Sequence, residues 1–247
     1  MTGSGAPAEL DAPPPPPTPV RAGEERLPHP LDPDGLPAWL AEPSDRDRIP
    51  GVVVIHDGTG LDAPLRALCG RLAATGLLVV APDLAARAGA EPADPEAIVD
   101  IDAAITHLRS HERCNGRVGA IGIGTGGRLA LILATSPSAP DRVVDVRGSR
   151  MARRTALIDG RHPQVAVERV DWLRSPLLGV FSQADDDPDE RDVAELESAL
   201  AERGIEHRIV TLEEEAADIF NAPIGAPPDP DVPSAWSESM RWLEPLR

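Results

Sequence analysis

The segment 117-RVGAIGIGTGGRLALILA-134 carries an apolar run, a glycine-rich turn and a helix-forming run, and it fits two different motifs. Gly122, Gly124 and Gly127 match G-x-G-x-x-G, the loop that holds a dinucleotide pyrophosphate at a helix N-terminus. The same stretch matches G-x-Nuc-x-G, a strained strand-to-helix turn that presents a catalytic nucleophile, and Gly124 then stands in the nucleophile's place. The surrounding sequence has to decide between the two interpretations.

Apolar runs that predict strands alternate along the chain with amphipathic runs that predict helices. The predicted strands are LPAWLAEP, GVVVIHD, LLVVAPDL, RVGAIGI, RVVDV, SPLLGVF and HRIVTL, and the predicted helices are LRALCGRLAATG, IVDIDAAITHLRSHE, GGRLALILA and ERDVAELESALAERG. This alternation predicts an α/β protein with a doubly wound, mostly parallel sheet and helices on both faces. Residues 1–26, rich in Pro, Gly and Ala, predict a disordered tail, and residues 27–247 predict a single folded domain.

Charge and residue usage exclude several classes of function. The formal net charge of -17 disfavours nucleic acids and anionic membrane surfaces as partners. All 24 basic residues are Arg, and the lack of Lys and Tyr excludes Schiff-base chemistry and Tyr/Lys hydride-transfer sites. Two cysteines are too few for a disulfide framework, and no apolar run reaches the ~20 residues of a membrane span. We expect a cytoplasmic monomer or homodimer with a small-molecule ligand.

The dinucleotide interpretation has support close to the glycine loop. Gly122 follows a predicted strand, Gly127 opens a predicted helix, and Asp145 lies about twenty residues further on, as a ribose-binding acid would. However, this fingerprint usually belongs to the first strand–helix–strand unit of its domain, and several such units precede it here. A single G-x-G-x-x-G is also a weak signal.

The order of six segments favours the other interpretation. In chain order they are DPDGLPAWLAEP, PGVVVIHDGTGL, RLAATGLLVVAPDLAAR, VGAIGIGTGGRLAL, SPLLGVFSQADDDPDERDVAELESALAERGIEHRIV and ADIFN. From about Asp32 to Asn221, this succession resembles the dienelactone hydrolase family of α/β-hydrolases. The segments are similar to its opening strands, oxyanion-side loop, next helix and strand, nucleophile elbow, acid-bearing region and the segment after the triad histidine. The resemblance implies an α/β-hydrolase fold.

The resemblance assigns the catalytic positions residue by residue. The family's nucleophile, usually Cys, falls on Gly124, the triad acid falls on Asp185, and the triad histidine falls on Ala217. Triad members act as a unit, so the loss of two of them implies that esters and lactones are not hydrolysed by the family's route. Gly124 also removes a strain of ~1–3 kcal/mol that a side chain would have at this turn.

An anion-binding geometry is expected to survive the loss of the nucleophile. The backbone N–H of Thr125 lies at a predicted helix start, and the resemblance places the N–H of Gly58 opposite it as the second oxyanion donor. The resemblance also places Arg87 where the family uses an Arg to seat a substrate carboxylate. These three residues predict a site for a small carboxylate or carbonyl compound.

His56 and Asp57 are candidate acid/base groups, because they follow a buried strand and are predicted to face the pocket region. Two interpretations stay open for His56. It is either a scaffold histidine that orients loops through hydrogen bonds, or it forms a replacement acid/base pair with Asp57.

Two further features have structural explanations. His107, His111 and Cys114 have a helical spacing that could hold a transition metal. A solvated helix end is the favoured explanation, because this helix is expected to pack outside the sheet, away from the pocket, and we predict no metal site and no cofactor. Cys69 lies on the apolar face of its helix and is expected in the core.

Two functional hypotheses from different classes remain. The first is a family member without the hydrolytic triad that binds a small anionic or carbonyl ligand, or a partner. The second is an enzyme that uses His56 or Asp57 with the oxyanion hole for isomerisation, cyclisation, a lyase step or atypical hydrolysis. Dinucleotide binding through Gly122, Gly124 and Gly127 is a third, weaker alternative.

Overall fold

The computed structural model describes residues 18–58, 60–88, 93–152, 167–221 and 232–247. The strands are β1 (Val20–His29), β2 (Asp32–Pro43), β3 (Ile49–Ile55), β4 (Leu78–Pro82), β5 (Cys114–Ile123), β6 (Arg142–Val146), β7 (Leu177–Ser182) and β8 (His207–Leu212). The helices are α1 (Ala63–Ala74), α2 (Ala85–Ala88), α3 (Asp94–Ser110), α4 (Thr125–Leu133), α5 (Glu190–Glu202), α6 (Glu214–Ala217) and α7 (Ala235–Leu243).

The strands form one sheet in the order β1-β2-β4-β3-β5-β6-β7-β8. Strands β1 and β2 pair antiparallel with each other, and β2 pairs antiparallel with β4. Every other pairing, from β4 through β8, is parallel. The predicted doubly wound, mostly parallel sheet is therefore confirmed. Its carboxyl edge brings together the loops after β3, β5 and β7, where such folds bind ligands.

The sheet separates two apolar cores, because successive side chains of a strand point to opposite faces. In β3, Val53 and Ile55 join the cluster that contains α3, α4 and α5, whereas Val52 and Val54 join the cluster that contains α1 and α7. All seven residues of β3 are buried, as expected for a central strand covered on both faces.

Strand β1 corrects the predicted boundary of the tail. It begins at Val20, inside the segment 1–26 that was predicted to be disordered, while residues 1–17 lie outside the described residues. Only Leu27 of this strand is buried. The strand is held by antiparallel pairing with β2 from Val20 opposite Pro43 to Leu27 opposite Leu36. Composition does not reveal such pairing, because it depends on backbone hydrogen bonds rather than on burial.

Helix α7 is absent from the sequence prediction. Ser234 begins it with a capping box in which its hydroxyl accepts from Ser237 N–H, and Trp236, Met240 and Leu243 pack in the core on the α1 side of the sheet. Among the described residues, none of the helices combines the length and hydrophobicity needed to span a bilayer.

Candidate functional site

The turn between β5 and α4 has the conformation of a nucleophile elbow. Gly124 is the N-cap residue of α4 and has φ 56° and ψ -125°. Its N–H donates to the Val146 carbonyl at 3.0 Å. Residues with a Cβ enter this region at a cost of about 1–3 kcal/mol, whereas glycine does so readily. The strand–turn–helix geometry is present, and the assignment of Gly124 to the family's nucleophile position stays a prediction.

The other glycines of the turn bring helix α4 close to the sheet. A Cβ on Gly122 would lie 2.2 Å from the Gly126 carbonyl oxygen, and one on Gly126 would lie 2.2 Å from that of Ile55. A Cβ on Gly127 would lie 2.0 Å from Asp145 Oδ1. These glycines therefore face protein atoms, and their role is helix packing rather than the approach of a pyrophosphate.

Asp145 is a fully buried carboxylic acid at the end of β6. Within the described residues neither of its oxygens has a hydrogen-bond partner, and both pack against the backbone of Gly148. Burial raises the pKa of Asp145 to about 7, with the Gly148 backbone acting in the opposite direction. A side chain enclosed in this way cannot reach a ribose, so the dinucleotide interpretation fails at this residue.

Asp57 borders the slot above Gly124. A Cβ on Gly124 would lie 3.1 Å from Asp57 Cβ and 4.0 Å from Asp57 Oδ2, and Asp57 is exposed. Asp57 therefore lies beside residue 124, and its role as an acid/base group stays a prediction. Any side chain introduced at residue 124 would have to displace it.

Asp185, which the resemblance assigns as the triad acid, forms an ion pair with Arg147. Asp185, which follows β7, has a side chain only 6% exposed; its Oδ2 accepts from Ser182 N–H at 3.0 Å, and its Oδ1 accepts from Arg147 Nε at 2.8 Å and from Arg147 Nη2. The hydrogen bond to Asp185 raises the pKa of Arg147. Arg147 directly follows β6 and adopts φ 55°. The carboxylate that would orient a histidine in a triad is bonded instead to a guanidinium.

Ala217, which the resemblance assigns to the triad histidine, is the last residue of α6 and is completely buried. The following residues form a second polar cluster, in which Asp218 Oδ1 accepts from Phe220 N–H at 2.8 Å and Arg71 Nη2 donates to the Phe220 carbonyl at 3.0 Å. Burial lowers the pKa of Arg71, and the Asp218 carboxylate opposes this shift. Among the described residues, Arg71 and Arg147 are two cations close to this segment, since the Asp218 carboxylate raises the pKa of each.

His56 connects the loops that follow β3 and β4. Its ring is buried, with Nδ1 accepting from Gly58 N–H at 3.1 Å and Nε2 lying 3.2 Å from the Leu84 backbone nitrogen. Burial lowers the pKa of His56, and nearby Asp83 and Asp57 oppose this shift. These contacts are those of the scaffold histidine. They also direct the Gly58 N–H at the imidazole, so this N–H would have to change partner to bind an oxyanion.

The remaining predicted ligand contacts are only partly described. Thr125 is the first residue of α4 and is partly buried. Arg87 belongs to α2, but its side chain lies outside the described residues, and its role in seating a carboxylate stays a prediction.

A buried ion pair that was not predicted from the sequence joins α4, the helix after the elbow, to α3. Arg128, on α4, donates from Nη1 and Nη2 to the two carboxylate oxygens of Asp94, on α3, at 2.7 Å each. The side chains are 4% and 0% exposed. The sequence signal was a charged residue inside an apolar helix, in GGRLALILA, which implies a buried partner.

The other candidate residues lie away from this edge of the sheet. The rings of His107 and His111 are 5.8 Å apart at the end of α3, and Cys114 is buried at the start of β5. In the described ranges, no three His, Cys, Asp or Glu side chains gather in a way that could hold a metal ion. Cys69 is in the core as predicted, where burial raises the pKa of its thiol to about 12.

Comparison with known sequences identifies the family. Residues 36–245 match the sequence profile of the dienelactone hydrolase family. The chain belongs to this family. The resemblance stated from the six segments is confirmed, and the profile extends beyond them to include helix α7.

Relatives with the provisional name carboxymethylenebutenolidase are similar to the chain at low identity. One from Methylorubrum extorquens is 26% identical over 181 residues, 66% of this chain and 60% of that protein, so the match spans less than two thirds of the relative. One from Salmonella typhi is 28% identical over 210 residues, 76% of this chain and 74% of that protein.

Solved structures confirm the α/β-hydrolase fold. A protein from Klebsiella pneumoniae, provisionally named a dienelactone hydrolase, superimposes with a TM-score of 0.77 at 23% identity, covering 91% of this chain and 98% of that one. A dienelactone hydrolase-like promiscuous phosphotriesterase from metagenomic libraries gives a TM-score of 0.66 at 18% identity, covering 92% and 96%. At these identities the structural similarity shows the fold alone.

Proposed function

We propose that this family member binds a small carboxylate or carbonyl compound at the Gly124 elbow and does not hydrolyse it through a triad. The Arg147–Asp185 pair carries the proposal, because the acid that would orient a histidine is bonded to a guanidinium. An arginine keeps its proton at neutral pH and cannot act as a general base. With glycine at 124 and alanine at 217, the triad positions supply neither a nucleophile nor a base.

The charges beside the elbow favour one orientation of the ligand. Arg147 adjoins Val146, whose carbonyl accepts the Gly124 N–H, and about a third of the Arg147 side chain is exposed. Asp57 borders the slot directly, and its negative charge disfavours an acidic group beside it. A carbonyl oxygen would therefore lie at Gly124 beside the Thr125 N–H, while an acidic group would lie away from Asp57, towards Arg147.

The name of the relatives supports this class of ligand. A carboxymethylenebutenolide is a lactone that carries a carboxymethylene group, and it thus combines a ring carbonyl with an acid. The proposal is that this chain retains recognition of that combination and has lost the chemistry. Arg87, by its position in the family, would supply a second cation for the acidic group.

Hydrolysis and binding have to be measured on the same preparation. We expect p-nitrophenyl acetate and dihydrocoumarin to be hydrolysed at the background rate, and the amide NMR signals of Gly58 and Thr125 to shift saturably with crotonate. Arg147→Gln should weaken crotonate binding, whereas Arg191→Gln, an exposed residue of α5 with the same change of charge, should not.

Two results would overturn the proposal. One is ester or lactone turnover that survives repurification and disappears in Asp57→Asn. The other is a crotonate titration in which the Gly58 and Thr125 signals stay fixed while distant surface signals move, because the oxyanion geometry would then be only a remnant of the fold.

The position of Asp57 favours a second candidate function. Its carboxylate borders the space above Gly124, where it could take a proton from a ligand held at the Thr125 N–H. The reaction class would be an isomerisation, cyclisation or lyase step that needs no covalent nucleophile. Deuterium exchange into bound crotonate, lost in Asp57→Asn, would distinguish this enzyme from a binding protein.

The proposal also includes the partners, the oligomeric state, the cofactors and the location of the protein. The net charge of -17 supports a protein without nucleic-acid or membrane partners, and we infer a cytoplasmic monomer or homodimer without a metal or other cofactor. Light scattering at two concentrations and cell fractionation test the oligomeric state and the location.

A further inference from the structure

A cavity of about 410 Å³ lies at the end of helix α4 remote from the elbow. Thr135, Arg169, Asp171, Trp172, Leu173 and Arg174 line it. Gly124 precedes α4 and Thr135 lies two residues beyond its last residue, Leu133, so a rise of 1.5 Å per residue separates the two places by about 16 Å. The volume is within the range of small-molecule sites, roughly 300–1,000 Å³. The cavity is therefore distinct from the Gly124 site.

One wall of the cavity is held in a fixed conformation. Arg169 donates from Nε and Nη2 to Thr135 Oγ1, at 3.1 and 2.9 Å, and this hydroxyl donates to the Ile132 carbonyl at 2.7 Å. The Arg169 guanidinium lies 5.8 Å from the centre of the Trp172 ring. Because these contacts orient the guanidinium before any ligand arrives, binding would cost little side-chain entropy.

The cavity has a positive charge in a strongly acidic protein. Among the described lining residues, Asp171 is the one carboxylate, and it is paired with Arg203 at 2.7 Å, which leaves the charges of Arg169 and Arg174 in excess. Screening limits the repulsion of an anion by the chain's net charge of -17 to about 10 Å at moderate salt. The lining arginines would therefore control the local affinity for anions.

Trp172 gives the cavity an aromatic surface. Its side chain is 60% exposed, whereas Trp236 is 3% exposed and packs in the core. An indole face supplies a large contact area for a flat ring, and the adjacent guanidinium adds a cation–π contact.

We propose that this cavity is a second ligand site that takes a planar aromatic acid, with its ring against Trp172 and its acidic group between Arg169 and Arg174. The three features that carry the proposal are the oriented guanidinium, the excess positive charge and the exposed indole. The site is independent of the Gly124 elbow.

An NMR titration of the full chain with benzoate tests this site. The indole signal of Trp172, assigned by its loss in Trp172→Phe, and the Arg169 Nε signal should shift saturably. Acetate lacks the ring and benzyl alcohol lacks the charge, so each should bind at least about tenfold more weakly, a difference of about 1.4 kcal/mol. Thr125 reports separately on benzoate at the elbow, so failure of one site does not imply failure of the other.

Matched variants locate the binding. Trp172→Ala and Arg174→Gln should each weaken the benzoate response of Arg169 about tenfold. Arg191→Gln removes the same charge from an exposed position of α5 and should leave the response unchanged. Equal responses to acetate and benzoate, or an Arg169 response that survives both variants, would overturn the proposal. So would Trp172 signals that change with protein concentration alone, since the indole would then mark a self-association surface.

Discussion

The turn at Gly124 and the loops after β7 and β8, to which the family resemblance assigns a hydrolytic triad, differ in how well they fit that assignment. The turn keeps the elbow conformation, with φ 56° at Gly124, and its glycines hold α4 close to the sheet. The loops fit the assignment less well, because Asp185 is bonded to Arg147, and Ala217, which the resemblance assigns to the histidine, is buried.

This difference follows from what each region contributes to stability. The elbow belongs to the packing between the central strands and α4, so a change in its backbone would disturb the core. The carboxylate of Asp185 lies in a loop after β7, where its hydrogen-bond partner can differ without moving the strands, provided that its hydrogen bonds are satisfied. The scaffold of the site is therefore expected to be retained longer than its chemistry.

The largest expected effect tests whether the stability of the fold around α4 depends on the buried Arg128–Asp94 pair. Arg128→Met leaves Asp94 buried without its partner and should reduce the free energy of unfolding by about 3–5 kcal/mol in urea denaturation. The double variant Asp94→Leu/Arg128→Met should recover most of that loss, because no isolated charge remains. If the single variant were as stable as Arg191→Met at an exposed site, the pair would not be what secures α4.

The next effect is the pH dependence of stability that arises from Asp145, the buried acid at the end of β6. Burial raises the pKa of Asp145 from its ordinary value of 3.8 to about 7, so the native protein holds this proton where the unfolded chain has released it. Between about pH 4 and 7 the unfolded state therefore binds fewer protons than the folded state. The contribution of Asp145 to the free energy of unfolding falls as pH rises through this window and is constant above it. The loss should be on the order of 4 kcal/mol.

Asp145→Asn isolates this contribution, because the amide has a similar shape and no charge to titrate. The stability difference between the variant and the natural protein should shift in favour of the variant from pH 4 to pH 8. A difference that stays constant over this range would show that Asp145 is ionised in the folded protein.

A smaller effect tests the strain at the elbow itself. Gly124→Ala places a Cβ at positive φ and 3.1 Å from Asp57 Cβ, and should cost about 1–3 kcal/mol of stability. Gly70→Ala is the matched control, because Gly70 lies within α1 with no atom within 4 Å of a new Cβ, and should stabilise by about 0.5–1 kcal/mol. Opposite signs for the two substitutions would confirm that the conformation at residue 124 requires glycine. Equal signs would contradict it.

Periodicity and segment order were sufficient to predict the sheet, its parallel core and the family, because they depend on burial and on local pattern. Strand β1 was missed because it has one buried residue and is held by pairing with β2. Arg147 was missed for a different reason. Its bond to Asp185 joins residues 38 positions apart, and nothing in the segment RVVDVRG distinguishes it from a surface arginine. Contacts of this kind are determined by the fold rather than by sequence pattern.

The smallest expected effect concerns a nucleophile introduced at residue 124. We expect this change alone to leave the rate of ester hydrolysis unaltered. Gly124→Cys restores a thiol at the elbow, but it must displace Asp57, and at Ala217 no histidine is present to take its proton. We expect p-nitrophenyl acetate turnover to stay at the background rate in this single variant. Adding Ala217→His supplies a base, although Asp185 remains bonded to Arg147 and cannot orient it. Only the triple variant that also carries Arg147→Ala, checked for folding by circular dichroism, should hydrolyse the ester above background. Rapid turnover by Gly124→Cys alone would mean that another base, such as His56, reaches the slot, and that the divergence between elbow and loops is smaller than their contacts indicate.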